Sequence, residues 1–126
     1  MNERPLSPHL QVYRLPLTAI LSITHRATGV FLSLGMILLV AFLMAVAEGE
    51  QTFACVHGFF QSIVGKLFLW IWIFALLFHL CHGVRHLIWD TGHGFDRETL
   101  NLFAGVEIAA ALLLAILLFF LAPSSS

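Results

Sequence analysis

The chain has 126 residues, of which 60% are hydrophobic and 10% charged, with a formal net charge of −1 and a mean hydropathy of +0.94. So few charges cannot clothe a soluble domain of this size, which excludes a water-soluble enzyme and makes the chain an integral membrane protein. No basic cluster offers a surface to nucleic acid, and the length allows one membrane domain, residues 1–126, and no second.

Residues 1–17 are polar and punctuated by Pro5, Pro8 and Pro16, which predicts an extended arm at the membrane surface. With Glu3 present and no apolar run before the prolines, this arm is neither a signal peptide nor an amphipathic transit sequence. A helix is expected to start near Thr18. Ser22, His25, Arg26 and Gly29 follow at helical spacing on one face. From Ala27 to Ala47 there is no charge, a length that crosses a hydrocarbon core of about 30 Å at ~1.5 Å per residue. The first span is therefore placed at about 22–47. Glu48 and Glu50 end it, and residues 51–62, with Gly58 as a breaker, read as a connecting loop along the interface.

The second span, about 64–89, is an uncharged run after Lys66 that ends in H-L-C-H-G-V-R-H-L-I-W-D (79–90). At ~100° per residue His79, His82, His86 and Asp90 share one side of a helix, with Arg85 directed away from them. A polar stripe there is expensive, since a charge at mid-bilayer costs roughly 2.5–3.5 kcal/mol on insertion scales. Imidazoles so placed either bond to a neighbouring helix, worth about 0.6–2 kcal/mol, or ligate a metal or haem. His79 is the deepest, where water competes least. Arg26 and Arg85 are long enough to snorkel to the headgroups. Thr91-Gly92-His93-Gly94 breaks the helix, Asp96, Arg97 and Glu98 mark a short loop, and the third span occupies about 103–122, with Glu107 near its start to snorkel or pair. Cys55 and Cys81 lie in different segments, form no C-x-x-C-H and read as free thiols, which excludes covalent haem attachment.

Lysine and arginine fix the expected orientation. Arg4, Arg14, Arg26, Arg85 and Arg97 fall on the side of the N-terminus and the second loop, and only Lys66 on the other. The fold class expected is an all-α membrane protein of three spans, with a cytoplasmic N-terminus and a periplasmic C-terminus. Both polar clusters, Ser22-His25-Arg26 and the histidine stripe, then meet in the cytoplasmic half of the bilayer.

R-P-L-S-P-H-L-Q-V-Y (4–13), S-I-T-H-R-A-T-G (22–29) and H-x-x-H-G-V-R-H-L-I-W-D-x-G (79–92) occur in an order and at intervals that resemble the large cytochrome b membrane-anchor subunit of succinate dehydrogenase, respiratory complex II. The resemblance covers nearly the whole chain. It implies a multi-pass protein of the bacterial inner membrane that binds haem b and ubiquinone. It also implies His79 as an axial haem ligand, His25 and Arg26 as contacts of the haem propionates, and Ser22 and Arg26 as the border of the quinone site. His82, at a place where relatives vary, is left with His86 and Asp90 as support around the metal. The implied partners are a smaller anchor subunit supplying the second axial histidine, an iron–sulfur subunit, a flavoprotein subunit and membrane lipid. A fumarate reductase anchor, or a cofactor-free scaffold or transporter subunit whose histidines only pack, remain open as alternatives.

The orientation is testable with alkaline phosphatase fused after Ser126 and, separately, within residues 94–98. The terminal fusion is expected to be active and the internal one silent. The reverse pattern contradicts the orientation.

Overall fold

The computed structural model describes residues 14–122, so the arm residues 1–13 and the Pro-Ser tail lie outside the described residues. Four helices follow in order: α1 (Leu17–Glu48), α2 (Glu50–Gln61), α3 (Ile63–Asp90) and α4 (Arg97–Leu121). Of these, α1, α3 and α4 are long and apolar enough to cross a membrane, as the sequence predicts.

Pro16 opens α1, since its ring fixes an extended conformation (φ −65°, ψ 153°) and its carbonyl accepts from the amides of Ala19 and Ile20. Extended backbone before a helix is where proline is tolerated. Gly49 ends α1 at φ 118°, a left-handed conformation that side-chain-bearing residues rarely adopt, and the chain turns straight into α2.

Residues 51–62 are not a loop. Gly58 sits inside a 12-residue helix, with open space where a β-carbon would stand. Mid-helix glycine costs only ~1 kcal/mol relative to alanine. That is outweighed where Phe53 and Phe60 of α2 both pack edge-on against Phe42 of α1, at 6.0 and 6.1 Å between ring centroids.

Side-chain caps start the next two helices. Ser62 accepts from the Gly65 amide to begin α3. Asp96 accepts from the Thr99 amide at 2.9 Å to begin α4. Hydrogen bonds from Thr99, side chain first and backbone second, hold the Asp96 carboxyl below its ordinary value. The helix therefore begins at Arg97, six residues before the expected span, and takes in Arg97 and Glu98, which the sequence reading places in a loop. Capping explains the difference: hydropathy marks where a helix becomes apolar, whereas Asp96 marks where its first amide is satisfied.

α1 and α3 each pack against all three other helices, and α4 meets both of them. Their shared core is small: Leu21, Phe78, Ala104 and Ala111, flanked by Cys81 and Ile108. Alanines at the α4 contact let the backbones approach closely, the usual means of helix association in lipid. Most large apolar side chains face outward, among them Ile63 and Phe120 at 77% and 78% exposure. A surface of that kind is stable against lipid tails or partner helices and not against water. Both cysteines are free thiols.

A candidate imidazole site within the helix bundle

Four histidines from two helices converge. His25 of α1 lies against the α3 stripe, stacked on His79 at 3.9 Å between centroids and 14° between planes. It also stacks on His82 at 4.5 Å and approaches His86 at 5.6 Å. The sequence placed His25 on one face of the first span and the other three on one face of the second, and antiparallel packing joins those faces.

His79 is half-buried, and its Nδ1 lies 3.1 Å from the Thr28 hydroxyl oxygen. That hydroxyl donates its single proton to the His25 carbonyl at 2.8 Å, so toward His79 it accepts. The imidazole therefore carries its proton on Nδ1, leaving the Nε2 lone pair for a ligand. Gly29 completes the cradle, because a β-carbon there would stand 3.2 Å from His79 Cε1. Beside Thr28 an open groove of about 430 Å³ runs between α1, α3 and α4, walled by Ala27, Phe31, Phe74 and Phe78. An oriented imidazole with a free lone pair, next to apolar walls that exclude water, fits the axial ligand of a haem.

His82 is placed differently. It is 1% exposed, and its Nδ1 donates to Glu107 Oε1 of α4 at 2.6 Å. Arg85 donates from Nη1 to Glu107 Oε2 at 3.0 Å and from Nη2 to the Leu100 carbonyl at 3.3 Å, with its guanidinium 4.5 Å over the Trp89 ring. Arg85 is thus buried at 3% exposure and does not snorkel. The expectation that it turns away from the whole stripe is corrected, since at ~100° per residue it stands about 60° from His82. A carboxylate and a guanidinium in hydrocarbon must be paired, and here they are paired with each other.

The remaining sequence-predicted residues are more open. Ser22 is half-buried and Arg26 exposed, one turn apart on α1, and neither has a polar partner among the described residues. His86 and Asp90 are exposed. His86 stays with the cluster, 4.9 Å from the His82 ring. Asp90 has no hydrogen-bond partner among the described residues and is not brought into the site. One functional residue escaped sequence reasoning, and the pairing expected of Glu107 lacked its partners. Thr28 sits three residues after His25 in a motif read for its charges, and the role of Glu107 needed a cation at matching depth on the next helix.

The fold and site define a small multi-pass membrane protein with an internal imidazole cluster at one end of its bundle. A family model described as the succinate dehydrogenase/fumarate reductase transmembrane subunit matches residues 1–120, and the chain belongs to that family. It is 43% identical over 116 residues to the succinate dehydrogenase cytochrome b556 subunit of Paracoccus denitrificans, covering 92% of this chain and 89% of that protein. Identity to the cytochrome b556 subunit of Rickettsia felis is 35% over 117 residues, or 93% and 91% of the two chains. The cytochrome b560 subunit of Reclinomonas americana is 34% identical over 120 residues, 91% of this chain and 83% of that one.

Glu107→Gln tests the buried ion pair. The amide keeps the size but removes the charge opposite Arg85, and it presents an NH2 to one of two donors. An uncompensated buried charge costs about 3–5 kcal/mol, so the purified complex should unfold at markedly lower temperature. An unchanged unfolding temperature contradicts the pairing.

Proposed function

We propose that this chain is the haem- and quinone-binding membrane anchor of a succinate:quinone oxidoreductase in the bacterial inner membrane, taking part in electron passage from an iron–sulfur partner to ubiquinone. The observation that carries this reading is the Thr28–His79 contact, which leaves the His79 Nε2 lone pair free. The names of the relatives, cytochrome b556 and b560 subunits of succinate dehydrogenase, support haem b as the group and succinate as the electron source. They favour that direction over fumarate reduction.

A bound haem b would supply reversible one-electron chemistry in the cytoplasmic half of the membrane. His79 is its ligand from this chain. His82 would not join it on the same iron, since two imidazoles three residues apart on one helix cannot reach opposite sides of one ion. A histidine of a smaller anchor subunit would hold the haem from the other side. Its helices, with lipid, cover part of the exposed apolar surface, while the iron–sulfur and flavoprotein subunits dock on the cytoplasmic side.

His25 and Arg26 are the donors for the haem propionates. Ser22 and Arg26 line the quinone site, where a hydroxyl and a fixed cation one turn apart stabilise the negative charge that grows on the carbonyl oxygens as electrons arrive. Their position near the cytoplasmic end of α1 keeps that charge within reach of water, the source of the two protons that quinone reduction needs.

Succinate oxidation measured with a quinone acceptor and with a soluble dye that takes electrons upstream separates this role from assembly. Ser22→Ala, which removes one neutral hydrogen bond worth about 0.5–1.5 kcal/mol, should slow the quinone rate up to roughly tenfold. Arg26→Leu should slow it more, because its hydrogen bonds are charge-assisted. The dye rate should hold in both. Equal loss in the two assays contradicts the site assignment.

A further inference from the structure

We infer that the cavity beneath α2, at the end of the bundle away from the stacked imidazoles, binds one anionic phospholipid of the surrounding membrane. The cavity has a volume of about 500 Å³ and lies between α1, α2 and α3, within the range of about 300–1,000 Å³ typical of ligand sites. α2 forms its roof. Phe53 and Phe60 hold that helix against Phe42. Gly65 lets α3 start directly beside it, since a β-carbon there would collide with the Phe59 carbonyl.

Polarity changes along the cavity. His57, Gln61 and Lys66 line it near the corner between α2 and α3, and Leu39, Phe68 and Trp72 make the rest of its wall apolar. From Lys66 to Trp72 is about 9 Å along the axis of α3. Trp72 reaches α1 at that depth only because residue 35 is glycine, where a β-carbon would collide with the indole nitrogen. Such a gradient accepts an amphiphile, with its head at Lys66 and an acyl chain running toward Trp72. Charge selects the head. Among the described residues Lys66 has no ion pair, and no acidic side chain lines the cavity. The Gln61 amide nitrogen donates to His57 Nε2 at 3.2 Å, so that imidazole keeps its proton on Nδ1. An ammonium, an imidazole N–H and an amide N–H at one mouth suit the oxygens of a phosphate diester. With no carboxylate to hold a second, positive group, a net-anionic head fits better than a zwitterionic one.

This site shares no residue with the haem and quinone contacts and does not rest on that reading. The test uses the assembled complex, washed in detergent until loosely held lipid is gone and then titrated with phosphatidylglycerol. Bound lipid is counted by native mass spectrometry, which also shows that each variant keeps its subunits. The expected result is one tightly bound phosphatidylglycerol in the wild type that Lys66→Gln weakens by roughly tenfold or more, the size of one hydrogen bond to a charged group. Lys66→Arg should retain it. Leu39→Trp, which fills the apolar wall and leaves every polar group in place, should lose the same lipid, and phosphatidylcholine should not compete for it. A lysine that only snorkels would hold headgroups without regard to the cavity. Equal binding in wild type and Lys66→Gln, a loss in Lys66→Gln that Leu39→Trp does not share, or equal competition by phosphatidylcholine overturns the site.

Discussion

A carboxylate inside an apolar helix has to be answered by the helix beside it. Glu107 lies ten residues beyond the start of α4 at Arg97, and is the one polar side chain between Leu102 and Leu121. α3 answers with His82 and Arg85, one turn apart, so that both carboxylate oxygens are used. This contact fixes the rotation of α3 about its axis relative to α4. With His82 and Arg85 committed to α4, the neighbouring faces of α3 are left for α1 and for whatever lies outside the bundle. The alanine contacts of α4 allow close approach without choosing a rotation, and the carboxylate chooses it.

That rotation divides the work among histidines which look alike in sequence. His82 is anchored through Nδ1 by an anion. His79 is anchored through Nδ1 by a neutral hydroxyl from the opposite helix. Each imidazole is thereby fixed in one tautomer with Nε2 available, but in different surroundings: His82 deep in the bundle at 1% exposure, His79 at its half-open side. His25, wedged between the two rings, couples α1 to both.

The three spans were legible because composition alone excludes every other home for them, and the meeting of His25 with His79 followed from antiparallel packing. What escaped had physical reasons. The helix over 50–61 is held by Phe53 and Phe60 against Phe42, a tertiary contact that overrides one glycine. α4 starts at its Asp96 cap rather than where hydropathy rises. Arg85 was judged by its angle to His79, although its partner is set by the depth of Glu107 on another helix. Thr28 carries no charge and is unremarkable in one dimension. Its meaning lies in a hydroxyl that already gives its proton to the His25 carbonyl, a fact of three-dimensional geometry.

The central claim is that His79, and not His82, is the haem ligand of this chain, and a reduced-minus-oxidised spectrum of the complex tests it most directly. His79→Ala should abolish or strongly shift the b-type absorbance. His82→Ala should largely preserve it, because that ring serves Glu107. The spectral position is the quantity to follow, since water can replace an imidazole and leave haem bound. An intact spectrum in His79→Ala together with a lost one in His82→Ala contradicts the division of roles between the two histidines.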